Sequence, residues 1–282
     1  MEDKVIEQSD LEKLLAAHNA QPALAKALRR IEDTDQLLRA LGRYIYFNSI
    51  FGGGVANLAG EMAARHDLFR DPAEASAALA DRSVEVAADI FSAAVDEFGI
   101  GGRSRRSTHR TLAQVTLKAA GEFLGFDARK LDGVVALNDA TLTAISRVQE
   151  GYGLNRALDE GNLFRALGFH IGSELLADEE FRLLDGFLRK NHPELVRSLE
   201  NRQVRLNGAS HPAYLWIHIH TSVEADHTAS ALAGANQALR FYAGAASRAQ
   251  IKEWILEGFV QFISVQREFM AGLILERPPI GR

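Results

Sequence analysis

Alanine, leucine and glutamate recur at helical spacing along nearly the whole chain, and alternating strand-like runs are almost absent. That periodicity limits the fold before anything else does. Apolar residues that return every three to four positions are buried as stripes between packed helices, not as faces of a sheet. Segments 9–30, 34–66, 73–98, 107–125, 131–150, 155–190, 212–245 and 247–275 each read as one or two amphipathic helices. Turn chemistry marks the breaks. A basic, glycine-rich loop (GIGGRSRRS, 99–107) precedes Ser107 and Thr108, either of which is a suitable helix N-cap. Gly125 closes the next helix, and Asn191-His-Pro and Asn207-Gly-Ala-Ser-His-Pro are turn clusters, with Pro212 placed near the first turn of the helix that follows. One stretch dissents: 214–223 (YLWIHIHTSV) is rich in aromatic and β-branched residues, which favour a strand. A lone strand needs a partner and no other segment offers one, so the stretch is expected to be helical.

No polar linker, composition shift or internal repeat divides the chain. The expected architecture is a single all-α bundle of seven to nine helices. Residues 1–35 form an N-terminal helical extension, 36–275 the bundle core and 276–282 a frayed tail. Of the 282 residues 47% are hydrophobic and 24% charged, with a formal net charge of -5, which excludes disordered and collagen-like classes. An acidic balance gives no footprint for nucleic acid. No apolar run is long enough to span a membrane, and the acidic start lacks the features of a signal peptide, so the expected location is cytoplasmic. With no cysteine in the chain, thiolate metal sites, disulfides and thiol nucleophiles are excluded. Any metal must be held by His, Asp and Glu.

The most specific chemical signal is HIHTSVEADH. His220, Glu224 and His227 stand at i, i+4 and i+7, within roughly 60° of one another on one helical stripe. Two imidazoles and a carboxylate converging from one helix make half of a carboxylate-bridged metal site. Trp216 flanks the stripe one turn earlier, Ala231 and Gly234 leave room for a ligand or a facing helix, and His218 points to the opposite side. Glu174 lies in an otherwise apolar and small-residue stretch, where a carboxylate is costly to bury unless a cation pairs with it. His170 is one turn away on the same face. Glu97 ends one helix and His109 opens the next across the glycine-rich loop, which makes the two helices antiparallel neighbours. Glu61 is a further lone carboxylate on a small, apolar face. For each of these residues the plain alternative is a solvated or packing role.

The order Glu, glycine-containing loop, His, distant Glu, then H-x-x-x-E-x-x-H resembles the haem-oxygenase-like diiron oxidases and oxygenases, iron-containing redox enzymes. The resemblance covers roughly residues 40 to 245. It implies a haem-oxygenase-like bundle without haem, with metal ligands Glu97, His109, Glu174, His220, Glu224 and His227, and Glu61 as an additional candidate. It also implies two Fe(II) ions, dioxygen as co-substrate and an external electron donor. His109 and Glu97 would serve one iron, His220 and His227 the other or both, and Glu174 and Glu224 would bridge or chelate. Two departures stand out. Glu224 replaces the commoner Asp, and the Glu97–His109 interval is long, which leaves Asp96 and Asp89 as rivals of Glu97. The ferritin-like alternative needs a second E-x-x-H that the chain lacks. The expected reaction is oxidation of a small amine- or carboxylate-bearing substrate, by N-oxygenation, oxidative cleavage or desaturation. Substrate contacts are expected at Trp216, His170, Arg156 and Arg165. The competing reading is a metal-free protein of the same bundle, either a cofactorless enzyme of the thiaminase or quinone-biosynthesis kind or a small-molecule binding module. A homodimer is left open.

Overall fold

The structure, a computed structural model, describes residues 5–20, 23–99 and 107–276, without the side chains of 222–226. The described residues are helical apart from a single two-stranded sheet. The N-terminal extension supplies α1 (Gln8–Ala17) and α2 (Ala23–Leu28). Then come α3 (Thr34–Asn48), α4 (Phe51–Ala63), the short α5 (Ala77–Ala80), α6 (Ser83–Phe98) and α7 (His109–Phe123). Next are α8 (Ala128–Val134), α9 (Asp139–Gly151), α10 (Glu160–Asn191) and α11 (Pro193–Glu200). The hairpin β1 (Gln203–Leu206) and β2 (Ala209–Pro212) leads into α12 (Leu215–Phe241) and α13 (Arg248–Gly272). No helix among the described residues is long and apolar enough to cross a membrane.

Side-chain caps set the helix starts. Asp33, Thr108, Asp127, Asn138, Asp159 and Ser247 each accept a hydrogen bond from the backbone N–H three residues on, satisfying one of the orphan donors of α3, α7, α8, α9, α10 and α13. The all-α class holds, but the described residues contain thirteen helices rather than seven to nine. The excess is in short pieces (α2, α5, α8 and α11) that turn corners between the long helices.

Two details correct the sequence reading. The cluster beginning at Asn207 is the turn of a hairpin, with Gln203 to Leu206 paired antiparallel to Pro212 to Ala209. Asn207 and Gly208 have φ of 51° and 77°, the left-handed pair that a two-residue hairpin turn requires. Pro212 therefore ends a strand instead of opening a helix. Residues 214–223, in contrast, are helical as expected, with Tyr214 as the N-cap of α12.

Packing centres on α10, which lies against both α12 and α13. A Cβ added at Gly168 would lie 1.7 Å from the Ile255 carbonyl oxygen, and one at Gly258 would lie 1.8 Å from that of Arg165. The two helices thus touch backbone to backbone, and only glycine fits at each crossing point. Beside them, α6 packs between α4 and α12, where Gly234 admits Ile90 and Asp89. Arg43, 1% exposed, donates to the carbonyls of Ala136, Leu273 and Leu275 and ties α3 to the ends of α8 and α13. The extension is docked: Asn236 exchanges two hydrogen bonds with the Ile6 backbone, and Lys252 pairs with Asp10 at 2.9 Å.

Gly168→Ala is expected to lower stability by about 1–3 kcal/mol or more, through overpacking at the crossing. Gly60→Ala, where the added Cβ meets nothing, should raise stability by about 0.5–1 kcal/mol. Urea unfolding midpoints at an unchanged m-value check both; equal effects would contradict the backbone contact.

Candidate metal centre

Four helices converge on one cluster. Glu97 ends α6, and His109, 3% exposed, is the first residue of α7, held there by the Thr108 cap. Their side chains meet, Glu97 Oε1 lying 2.9 Å from His109 Nδ1. His220 comes from α12, its ring edge-on to that of His109 with centroids 4.5 Å apart. One ligand-competent atom each from Glu97, His109 and His220 lies within 4.8 Å of the others. This buried Glu/His group has the composition and spacing to hold a metal ion.

The ring of His220 is fixed in both orientation and tautomer. Its Nδ1–H donates to the Trp216 carbonyl at 2.6 Å, and Phe181 stacks on the ring with centroids 4.0 Å apart. Burial, reinforced by His109, holds the imidazole well below its ordinary pKa. The neutral ring, with its lone pair on Nε2, is the form that a metal ligand needs.

A second group adjoins the first. His227 Nε2 is 2.8 Å from Asp96 Oδ2, and its Nδ1 is 3.6 Å from Glu174 Oε2. Glu174 Oε1 is in turn 3.3 Å from Nδ1 of His170, whose pKa burial pushes down to about 3. Tyr152 extends the chain, its hydroxyl 2.7 Å from Ser173 Oγ and 3.3 Å from His170 Nδ1. Desolvation raises the Tyr152 pKa, so the phenol keeps its proton. From the other side, the Tyr44 hydroxyl donates to Glu180 Oε2 at 2.9 Å.

Both groups face one narrow cavity lined by Glu97, Glu174, Glu180, His220 and His227, with the rings of Phe47, Phe51 and Phe262 on its wall. Among the described residues its lining includes three carboxylates. A second, more open cavity of about 1000 Å³ reaches Glu97, His109 and His220 from the side of Gly53, Arg110 and Trp216.

Of the residues anticipated from sequence, Glu97, His109, Glu174, His220 and His227 meet here. The side chain of Glu224 lies outside the described residues, as do Arg103, Arg105 and Arg106. Of the rivals of Glu97, Asp96 also reaches the cluster, where it holds His227, and Asp89 packs where Gly234 of α12 approaches α6. Trp216 does border the site, and His170 supports Glu174. Three expectations fail. Glu61 lines neither cavity and instead acts on Arg65. Arg165 is committed to Glu257 at 2.8 Å and to the face of Trp254, and Arg156 is exposed in the loop after α9. Neither arginine lines a cavity at the cluster. The sequence reading also missed Glu180, because Asp178-Glu-Glu180 looks like a solvated acidic run. Only Glu180 of the three is buried, while Asp178 pairs with Arg182.

No protein-family model matches the chain, and no curated protein matches it in sequence.

A divalent ion that binds only the folded state stabilises it, by about 2.7 kcal/mol at a free concentration of 100 times Kd. Zn(II) or Co(II) is expected to raise the thermal midpoint of the wild type and of His218→Ala, whose side chain is exposed away from the cluster. The metal-induced shift should largely vanish in His109→Ala and His220→Ala. Equal shifts in all four proteins would place the metal elsewhere.

Proposed function

We propose that the chain is a non-haem diiron, oxygen-dependent oxidoreductase acting on a small amine- or carboxylate-bearing substrate. One observation carries this reading: three carboxylates and two histidines line one cavity, with His109 adjoining. The imidazoles beside the carboxylates complete a donor set of the hard-oxygen and nitrogen type that suits iron. The fit therefore rests on the residues themselves.

Glu97, His109 and His220 would hold one ion. Glu174 and His227 would hold a second, with Glu224 included through the family resemblance. Ferrous ions bound there would supply electrons for the reduction of dioxygen coupled to substrate oxidation, an external donor restoring them. The protein's own part is positioning. Phe181 and the Trp216 carbonyl immobilise His220. His170 and Ser173 tie Glu174 to Tyr152, and Phe47, Phe51 and Phe262 keep bulk water from the carboxylates. The open cavity beside Trp216 gives a small molecule a place against the cluster.

Anaerobic titration with Fe(II) is expected to load about two irons per chain, as in other two-metal sites. The loaded protein should then consume dioxygen on mixing. His220→Ala and Glu174→Ala should each lose iron while keeping their helical circular dichroism. A wild type that takes up no iron, or variants that load and consume oxygen like it, would favour the metal-free reading.

A further inference from the structure

The open cavity beside the cluster changes character along its length. Its inner end is made by Ile45, His109, Trp216 and His220, all buried, with the Glu97 carboxylate beside them. Toward solvent the wall consists of Ile50, Leu154 and Phe98, which are half-buried or exposed. A Cβ added at Gly53 would meet nothing within 4 Å, so α4 leaves that side open. Several polar side chains on the wall are already engaged. Asn48 and Ser49 donate to the Tyr44 and Tyr46 carbonyls, and the Thr108 hydroxyl accepts from the Thr111 N–H as the cap of α7. Arg110 differs from them. It is the one lysine or arginine among the described lining residues, it is exposed, and no carboxylate among the described residues pairs with it. It follows His109 directly in α7, and successive helical side chains diverge by about 100°. His109 turns inward to the cluster and Arg110 outward to solvent, so two adjacent residues mark the two ends of one cavity.

We propose that the open cavity binds a small carboxylic acid with an aliphatic body, its carboxylate on Arg110 at the mouth and its far carbons against Trp216 and His220. The planar fork of an arginine matches both oxygens of a carboxylate. The apolar wall between the two ends takes the carbon chain out of water. Charge sets the direction. A ligand carboxylate at the inner end would face Glu97, a like charge, whereas at the mouth it meets an opposite one. An amine at the mouth would instead be repelled by Arg110. That this acid is the substrate rests on the oxidoreductase reading, under which the carbon presented to the cluster is one remote from the carboxylate. Binding itself does not depend on that reading.

The chain carries its own reporter. Of its two tryptophans, Trp216 lines the cavity and Trp254 lies under Arg165, so Trp254→Phe leaves Trp216 as the sole indole emitter. Octanoate added to the metal-free full chain with this replacement is expected to change the Trp216 emission saturably. Each methylene from hexanoate to octanoate should tighten binding by about three- to fourfold. Arg110→Gln should weaken octanoate by about five- to tenfold and leave 1-octanol unchanged, while Arg110→Lys should recover most of the loss. Bromine quenches an indole that it touches. 8-Bromooctanoate should therefore quench Trp216 strongly and 2-bromooctanoate weakly.

The proposal is overturned if octanoate leaves the Trp216 emission unchanged, if folded Arg110→Gln binds it as tightly as the parent, or if 2-bromooctanoate is the better quencher. Should Arg110→Gln fail to fold, the bromine pair decides. Because no metal is present, these outcomes are separate from those of the iron titration. A chain that loads iron but fails here keeps the oxidoreductase reading and loses this ligand. One that binds octanoate in this way without taking up iron keeps the site and loses that reading.

Discussion

The backbone contact between α10 and α13 is the constraint from which the rest of the structure follows. Gly168 and Gly258 remove the two side chains that would otherwise hold these helices apart, and each helix places a carbonyl where the other's Cβ would be. A crossing without side chains has little freedom to slide or tilt, because close-packed interiors deform poorly. α10 is thereby fixed over the turns that carry His170, Ser173, Glu174, Glu180 and Phe181. The Glu/His cluster inherits its geometry from that rigidity. Phe181 can lie flat on His220 only because α10 and α12 are held in register along their shared length.

The same cluster shows how a fold tolerates charge in its interior. Within it the carboxylates and imidazoles hold one another. Glu97 holds His109, Asp96 holds His227, and Glu174 lies between His227 and His170. Each contact keeps a donor atom oriented that would otherwise turn away. These contacts link α6, α7, α10 and α12. They do keep the site assembled, so that little reorganisation accompanies the arrival of a metal.

Much of this was legible in the sequence, for reasons of periodicity. An i, i+4, i+7 spacing on a helix leaves its side chains little choice of direction, which is why His220 and His227 reach the same cavity. Glu97 and His109 were readable because a loop between two antiparallel helices brings the loop's ends together. What failed was whatever depends on neighbours distant in sequence. Glu61 has the local look of Glu174, yet the packing of α4 sets it outside both cavities at the cluster. Arg165 sits on the right helix, but Glu257 and Trp254 of α13 claim it. Glu180 was hidden in an acidic run whose other members face outward. The hairpin was missed because strands of four residues show too little alternation, although Asn207-Gly208 is itself a strong turn signal.

Asn48, Glu97 and His220 border both cavities at the cluster. They act as a party wall between a narrow, carboxylate-lined chamber and a roomier, mixed one. Two visitors of different size and polarity can thus touch the same imidazole from opposite sides without competing for room. Trimming any brick of that wall would merge the compartments, so selectivity by size and the integrity of the cluster reside in the same three side chains.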